Sequence, residues 1–319
     1  MKNKFAFKII KVLVAILVFA LLFYMTDTKE LMTALAHLDA ANICWLMSIS
    51  FLLVYLSALK WSLFLTSQGN QVSVVRLFLY YLLGYFVNLV FPSYVGGDVV
   101  RSLYAGGHGN KTKAFVATIL ERYTGFIAML AMAVTFIWFT SAVTIQMKLL
   151  IVAMTLNLVF MTWLAVTPRM SVWLLKLRVP ERFVKKWESF RDSLTYIKGH
   201  RALFVRALGL SFAFHVVAVV NVIAAGHAIG WIDIPITELF IVLPVILLIG
   251  AIPISPNGLG IQEGAYVYFL TGLGATPAQA FGLALVLRAK VYILALLGGL
   301  VWLFLNRSAK QETSARENI

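Results

Sequence analysis

Six charged side chains stand where their neighbours are almost all apolar: Asp98 and Arg101, Glu121 and Arg122, Glu263 and Arg288. A guanidinium keeps its charge and presents a planar fork of donors that matches the oxygens of a phosphate or a carboxylate. Each arginine therefore has two readings, as a holder of a lipid phosphate or as half of an internal ion pair. The pairs would be Arg122 with the adjacent Glu121, and Arg288 with Glu263. Lys290, two residues past Arg288, falls on a different face of its helix. The acids are also double-valued. A carboxylate in the first turn of a helix complements the helix dipole by about 0.3 to 1 kcal/mol. An acid deep in a membrane protein is costly and marks the path of an ion, a proton or a substrate. Asp98, Glu121 and Glu263 are read as candidate coupling or ion groups, with Asp98 weighted toward the helix-end role. The charge state of Glu263 depends on burial set against the dipole and Arg288.

These residues flank two interruptions. Pro253, Pro256, Asn257, Gly258 and Gly260 break an apolar run just before Glu263, and Pro92, Gly96 and Gly97 break another just before Asp98. In hydrocarbon a broken helix leaves backbone groups unpaired at several kcal/mol each, so a break persists only inside protein or beside a polar cavity. Asn88 and Asn257, polar side chains at the two breaks, join Arg101, Arg122 and Arg288 as candidate substrate contacts. Pro92 and Pro256 lie 164 residues apart, and Arg122 and Arg288 lie 166 apart. The near-constant offset is the signature of an internal repeat.

The elements that must position these groups follow from composition. Of 319 residues, 61% are hydrophobic and 13% charged, well short of the roughly one quarter charged in a soluble domain. The fold class is an all-α polytopic membrane protein. Its net charge of +14 falls in short basic blocks between apolar runs, as the cytoplasmic loops of a membrane protein require, so nucleic acid is not the partner. The single cysteine, Cys44, permits no intrachain disulfide. The histidines at 37, 108, 200, 215 and 227 show no metal spacing, and His215 reads as a hydrogen-bonded core residue. The string Gly258-Leu259-Gly260 lacks the spacing of a nucleotide loop, and neither an HExxH nor a GxSxG motif is present. The expectation is no metal, no cofactor and no enzymatic constellation.

Residues 1 to 25, with Lys2, Lys4, Lys8 and Lys11 at the start, read as an uncleaved first span. Leu31, Met32, Leu35 and Leu38 suggest a short interfacial helix outside. Residues 42–66 return inward, with Lys60 snorkelling to the cytoplasmic surface. Residues 114–140 and 149–166 span, and 203–230 and 277–306 span again. Keeping Arg101, Lys111 and Lys113 cytoplasmic requires the first break to be a re-entrant hairpin. A cytoplasmic C-terminus requires the second hairpin to enter from outside. The expected architecture is one integral membrane domain over 1–319, with about six full spans and two re-entrant helical hairpins arranged as an inverted repeat. Its halves run about 8–140 and 146–306. Segment 167–201, with nine Lys or Arg against three acids, anchors the orientation. Within it Phe183, Trp187, Phe190, Leu194 and Ile197 describe an amphipathic helix lying on the inner leaflet, where its basic face gathers anionic headgroups.

The strings NLVFPSYVGGDVVR, ILERYTGF, PISPNGLGIQEGAY and ALVLRA resemble the flippase-like family named after the transmembrane region of lysylphosphatidylglycerol synthases. The resemblance covers about residues 8 to 306. Asn88, Pro92, Gly96, Arg101, Glu121, Arg122, Pro256, Gly258, Gly260, Glu263 and Arg288 match its pattern. At Gly97-Asp98 the chain departs, since the family more often has a glutamate soon after the glycine. In the synthases a soluble aminoacyl-transferase domain follows this region, whereas the present sequence stops at Ile319. The resemblance thus implies lipid translocation without lipid synthesis: a carrier of an anionic or polyprenyl-phosphate-linked lipid in the bacterial cytoplasmic membrane, with both termini cytoplasmic. Membrane lipids are the expected partners, with a lipid-synthesising enzyme as a further one. The alternatives are a lipid-headgroup transferase and a scaffold for such an enzyme.

Overall fold

The computed structural model describes residues 2–90, 96–107, 109–140, 143–167, 181–252 and 254–317, and no strand occurs among them. The helices are α1 (Lys2–Met25), α2 (Thr28–Ala36), α3 (Ala40–Ser67), α4 (Val74–Val90), α5 (Gly96–Gly106), α6 (Lys111–Phe136), α7 (Ile145–Val166), α8 (Glu181–Gly199), α9 (Arg201–Ala228), α10 (Ile236–Ala251), α11 (Ile261–Thr271) and α12 (Pro277–Glu317). A 3-10 turn, Pro256–Gly258, lies between α10 and α11. Among the described residues five helices are long and apolar enough to cross a membrane: α3, α6, α7 over Ile145–Ala165, α9 and the Pro277–Leu305 part of α12. The chain is a multi-pass membrane protein. Pro92, Pro253 and residues 168–180 of the basic segment lie outside the described residues.

Local chemistry sets the helix ends. Asp39 caps α3 by accepting the Asn42 N–H at 2.6 Å. Thr276 and Gln279 cap α12 reciprocally, each side chain accepting the other's backbone N–H, at 3.1 and 3.0 Å. Helix α10 stops at Ala251 because Ile252 precedes a proline and takes the extended backbone, φ −65° and ψ 127°, that this position favours. Helices α5 and α11 have 11 residues each. At about 1.5 Å per residue they reach roughly half of a hydrocarbon core about 30 Å thick.

Packing follows a pattern of exchange. When α3, α4, α5 and α6 are matched in order with α9, α10, α11 and α12, each extensive contact within this set maps onto a contact of the set, that of α3 with α9 onto itself. The α4 contact with α12 corresponds to that of α10 with α6, and α5 against α6 corresponds to α11 against α12. Phe86 meets Trp302 across the first of these seams, and Phe136 stacks on Phe240, with centroids 4.4 Å apart, across its counterpart. Helices α1, α2, α7 and α8 lie outside the matched set. Helix α7 turns Leu149, Leu156, Val159, Phe160 and Trp163 outward, as a span facing acyl chains does.

Three expectations are corrected. Lys60 does not snorkel: it is buried on α3, because Glu121 one helix away stabilises the ammonium where it stands. Helix α2 forms where expected but packs on the bundle, Leu31 joining Leu22, Ala278 and Phe281 in a core cluster. Helix α8 turns Trp187, Phe190 and Leu194 onto the bundle instead of presenting them to lipid. Burying aromatic area against protein gains dispersion contacts that a fluid leaflet does not match.

The α4–α12 seam depends on Gly298, where an added Cβ would collide with the Leu82 carbonyl oxygen. Gly298→Ala is expected to lower unfolding free energy by about 1–3 kcal/mol. Gly209→Ala, in a helical position with nothing within 4 Å of the new methyl, is expected to gain up to about 1 kcal/mol. Thermal denaturation in detergent measures both, and equal midpoints would show that the seam yields.

Candidate functional site

The first cluster forms around the start of α5. Gly97 donates its N–H to Asn88 Oδ1 at 2.7 Å, so a side chain at the end of α4 holds the backbone that restarts after the break. Asp98 stands in the first turn of α5. Its Oδ1 accepts from Arg101 Nε at 2.9 Å and from Arg122 Nη2 at 3.0 Å, and its Oδ2 accepts from Arg122 Nε at 3.1 Å. Arg122 therefore grips Asp98 with two parallel bonds. The expected Arg122 pairing with Glu121 does not occur, because adjacent residues on a helix point about 100° apart. Glu121 instead accepts from Arg101 Nη2 at 2.9 Å and meets Lys60 Nζ at 3.1 Å.

The result is a continuous chain, Lys60–Glu121–Arg101–Asp98–Arg122, of three cations and two acids. The Arg101 guanidinium lies between the rings of Trp61 and Tyr81, 4.5 and 4.1 Å from their centroids. Its Nη1, Trp61 Nε1 and the Tyr81 hydroxyl are buried without a hydrogen-bond partner among the described residues. Exposure rises along the chain, from 1% for the Arg101 side chain to 17% for Asp98 and 51% for Arg122. The surplus positive charge thus has an accessible end.

The second cluster forms around the start of α11. Asn257 has φ 52°, and Gly258 and Gly260 have φ 69° and 81°. Glycine takes such angles at no steric cost and asparagine is among the few other residues that tolerate them, so these residue types suit the turn between α10 and α11. Glu263, in the first turn of α11, accepts the Gly260 N–H at 2.6 Å with one oxygen and the Arg288 Nε with the other. Arg288 also donates to the Asn257 carbonyl at 3.1 Å and to Gln262 Oε1 at 3.2 Å. Side-chain exposure is 9% for Arg288 and 2% for Glu263. Lys290 faces away and donates to Asn221 Oδ1 on α9. His215 bonds the Gly125 carbonyl oxygen at 3.0 Å.

The structure thus gathers Asn88, Asp98, Arg101, Glu121 and Arg122 at one break, and Asn257, Glu263 and Arg288 at the other. No bond joins the two groups among the described residues. The two arrangements correspond: an acid in the first turn of a short helix meets an arginine of the long helix that follows. Sequence reasoning missed Lys60, Trp61, Tyr81 and Gln262. A lysine in the middle of an apolar run was a signal for Lys60, since an ammonium there requires an acid. Nothing marked the two aromatic residues. Among the described residues no group of three metal-ligating side chains occurs.

The family described as the lysylphosphatidylglycerol synthase TM region matches residues 8–299. A curated relative, the "UPF0104 membrane protein" of Methanothermobacter thermautotrophicus, is 23% identical over 314 residues, covering 90% of this chain and 91% of that protein. No solved structure matches the chain.

Removing one partner of a buried ion pair leaves an uncompensated charge at about 3–5 kcal/mol. Glu121→Gln, which leaves Lys60 without its acid and Arg101 with Asp98 alone, is expected to lose that much stability in detergent. Arg122→Gln, at the exposed end, is expected to lose about 1 kcal/mol or less. The check is thermal denaturation of the two variants side by side, and the double variant Lys60→Met/Glu121→Gln should recover part of the loss.

Proposed function

The chain belongs to the family of the lysylphosphatidylglycerol synthase transmembrane region, and from that premise we propose that it carries a phosphate-bearing lipid between the two leaflets of its membrane. The coarser part of this reading is given by the family and the apolar helices: a multi-pass protein in contact with membrane lipids. The proposal adds what those contacts do.

One observation carries it. Two corresponding acid–arginine pairs stand beside two helix breaks, and they differ in exposure: the Arg122 side chain is 51% exposed and that of Arg288 is 9% exposed. Repeated halves with broken helices, standing in unequal states, are the arrangement that alternating-access carriers use. In this reading α4/α5 and α10/α11 are re-entrant hairpins, and α1, α3, α6, α7, α9 and α12 are the six spans. The halves, about 8–140 and 146–306, are inverted, with both termini in the cytoplasm. Each arginine exchanges its acid for a lipid phosphate, keeping its fork filled in both states. The lipid tails stay in the bilayer while the headgroup passes, and the driving force is an ion gradient or the lipid gradient itself. The chain is then a carrier and not an enzyme: the acids at the breaks are engaged by guanidiniums and do not stand as a free acid–base pair. An anionic cargo suits the surplus positive charge of the first cluster.

Orientation is tested by labelling. In a Cys44→Ala background a cysteine at Asn110 is expected to react only from the cytoplasmic side and one at Thr276 only from outside. Reaction of both from the same side would end the inverted arrangement. Transport is tested in proteoliposomes carrying labelled lipids with several headgroups. Exchange above empty vesicles is expected. Arg122→Lys and Arg288→Lys keep the charge and lose the fork, and each should slow exchange by about tenfold, the equivalent of one lost forked bond. No exchange with any headgroup under any imposed gradient would sink the reading, and wild-type rates in both variants would remove the arginines from it.

A further inference from the structure

One cavity in the molecule adjoins Arg288 from outside the cluster already described. It is about 390 Å³ and is lined by Ala15, Ile16 and Phe19 of α1, Leu259 of the second break, and Leu285, Arg288, Ala289 and Tyr292 of α12. The four α12 residues recur at i, i+3, i+4 and i+7, one face of a helix. The walls are therefore almost entirely hydrocarbon, with Arg288 and Tyr292, one helical turn apart, as the lining residues that carry polar groups.

Helix α1 makes this cavity. It has no counterpart in the matched helix set, and it covers the second break. Its Ala15 carbonyl oxygen and the Val18 side chain stand against Gly260, and Phe19 and Phe23 pack on Phe281, with centroids 6.2 and 5.1 Å apart. Its other face, with Leu13, Leu17, Leu21 and Tyr24, is exposed, and in a membrane that face meets acyl chains. The cavity consequently lies between protein on one side and bilayer on the other.

We infer that this groove holds one hydrocarbon chain of a phosphate-bearing lipid, with the phosphate on Arg288 and the Tyr292 hydroxyl, and that cargo reaches the second site sideways from the bilayer between α1 and α12. Three donations from Arg288 go to Glu263, Asn257 and Gln262. Part of its five-donor fork is left for a first phosphate oxygen, before the acid is exchanged. The volume lies within the range of small-molecule sites, which are mostly apolar with a few placed polar groups. An apolar cavity open to lipid takes up hydrocarbon, since water there would lack partners. A chain in the groove and a phosphate at its end form one ligand: charge fixes the head and shape fixes the tail. The identity of the cargo rests on the carrier reading above, whereas the groove itself does not.

The test uses the full chain in nanodiscs and a long-chain alkyl phosphate carrying a photoactivatable diazirine on its chain. Cross-links are expected to concentrate on the α1 and α12 peptides that contain Ile16, Phe19 and Leu285. Helix α7, with Leu149, Leu156 and Phe160 exposed, is the control for general contact with lipid. Ala289→Phe fills the groove from an exposed position and should cut groove labelling at least tenfold without moving the thermal midpoint. Tyr292→Phe should weaken labelling several-fold. Inorganic phosphate in excess should not compete, and competition would make the site one for a free anion and overturn the proposal. Labelling of α7 equal to that of the groove, or groove labelling untouched by Ala289→Phe, would also overturn it. Groove labelling in a protein that moves no lipid would sink the carrier reading and keep the groove. Lipid exchange with no groove labelling would do the reverse.

Discussion

A helix interrupted inside a membrane protein leaves carbonyls and amides in need of partners, and the second break of this protein meets that demand with one ion pair. Arg288 donates to the Asn257 carbonyl within the break, and it is held there by Glu263, whose other oxygen takes the Gly260 N–H. The acid is needed to keep the arginine, the arginine is needed to satisfy the break, and the break brings the acid to the start of α11. Each unpaired group would cost several kcal/mol, so no member can be dropped alone. The first half solves the same problem differently, with Asn88 accepting the Gly97 N–H. That neutral bond leaves Arg101 and Arg122 to other work.

Those arginines join the five-membered charge chain with Lys60, Glu121 and Asp98. Burying charge is seldom a way to gain stability, because desolvation offsets most of the attraction even when geometry is good. The chain is better understood through its gradient of exposure. Its inner end is fixed by Trp61 and Tyr81 around Arg101, and its outer end, Arg122, is held by two bonds to Asp98. The chain thus has a fixed interior and an exposed cation at its end, and that end is where the carrier reading places a ligand anion.

The sequence reveals the breaks, the arginines and the offset between halves, because proline, glycine and charge are conspicuous against an apolar background. The Arg288–Glu263 pairing was open to the same reading. What it hides are partners set by helix rotation. Arg122 lies beside Glu121 in the chain yet turns to Asp98, 24 residues back. Lys60 looks like a residue near a membrane surface until α6 places Glu121 against it. The face of α8 shows a stripe of Trp187, Phe190 and Leu194, but amphipathicity does not say whether protein or lipid covers it. The groove under α1 depends on the crossing of two helices some 270 residues apart in the chain, which no local pattern encodes.

The match between the halves constrains contacts more than chemistry. Helices α3 and α9, each of 28 residues, superpose Lys60 on Asn221 when aligned end to end. Lys60 pairs with Glu121 of α6, and Asn221 accepts from Lys290 of α12. The brace between the first and last helices of each half is thus retained within a turn, while its lysine has moved from one helix to the other. An ammonium against a carboxylate in a buried site is a charge-compensated bond, whereas an ammonium against an amide remains a net charge in a medium that disfavours it. The first brace is therefore the firmer of the two. The exchange pattern preserves where the helices touch, and the side chains at those contacts make the two clusters unequal in openness, in charge and in how tightly they are braced.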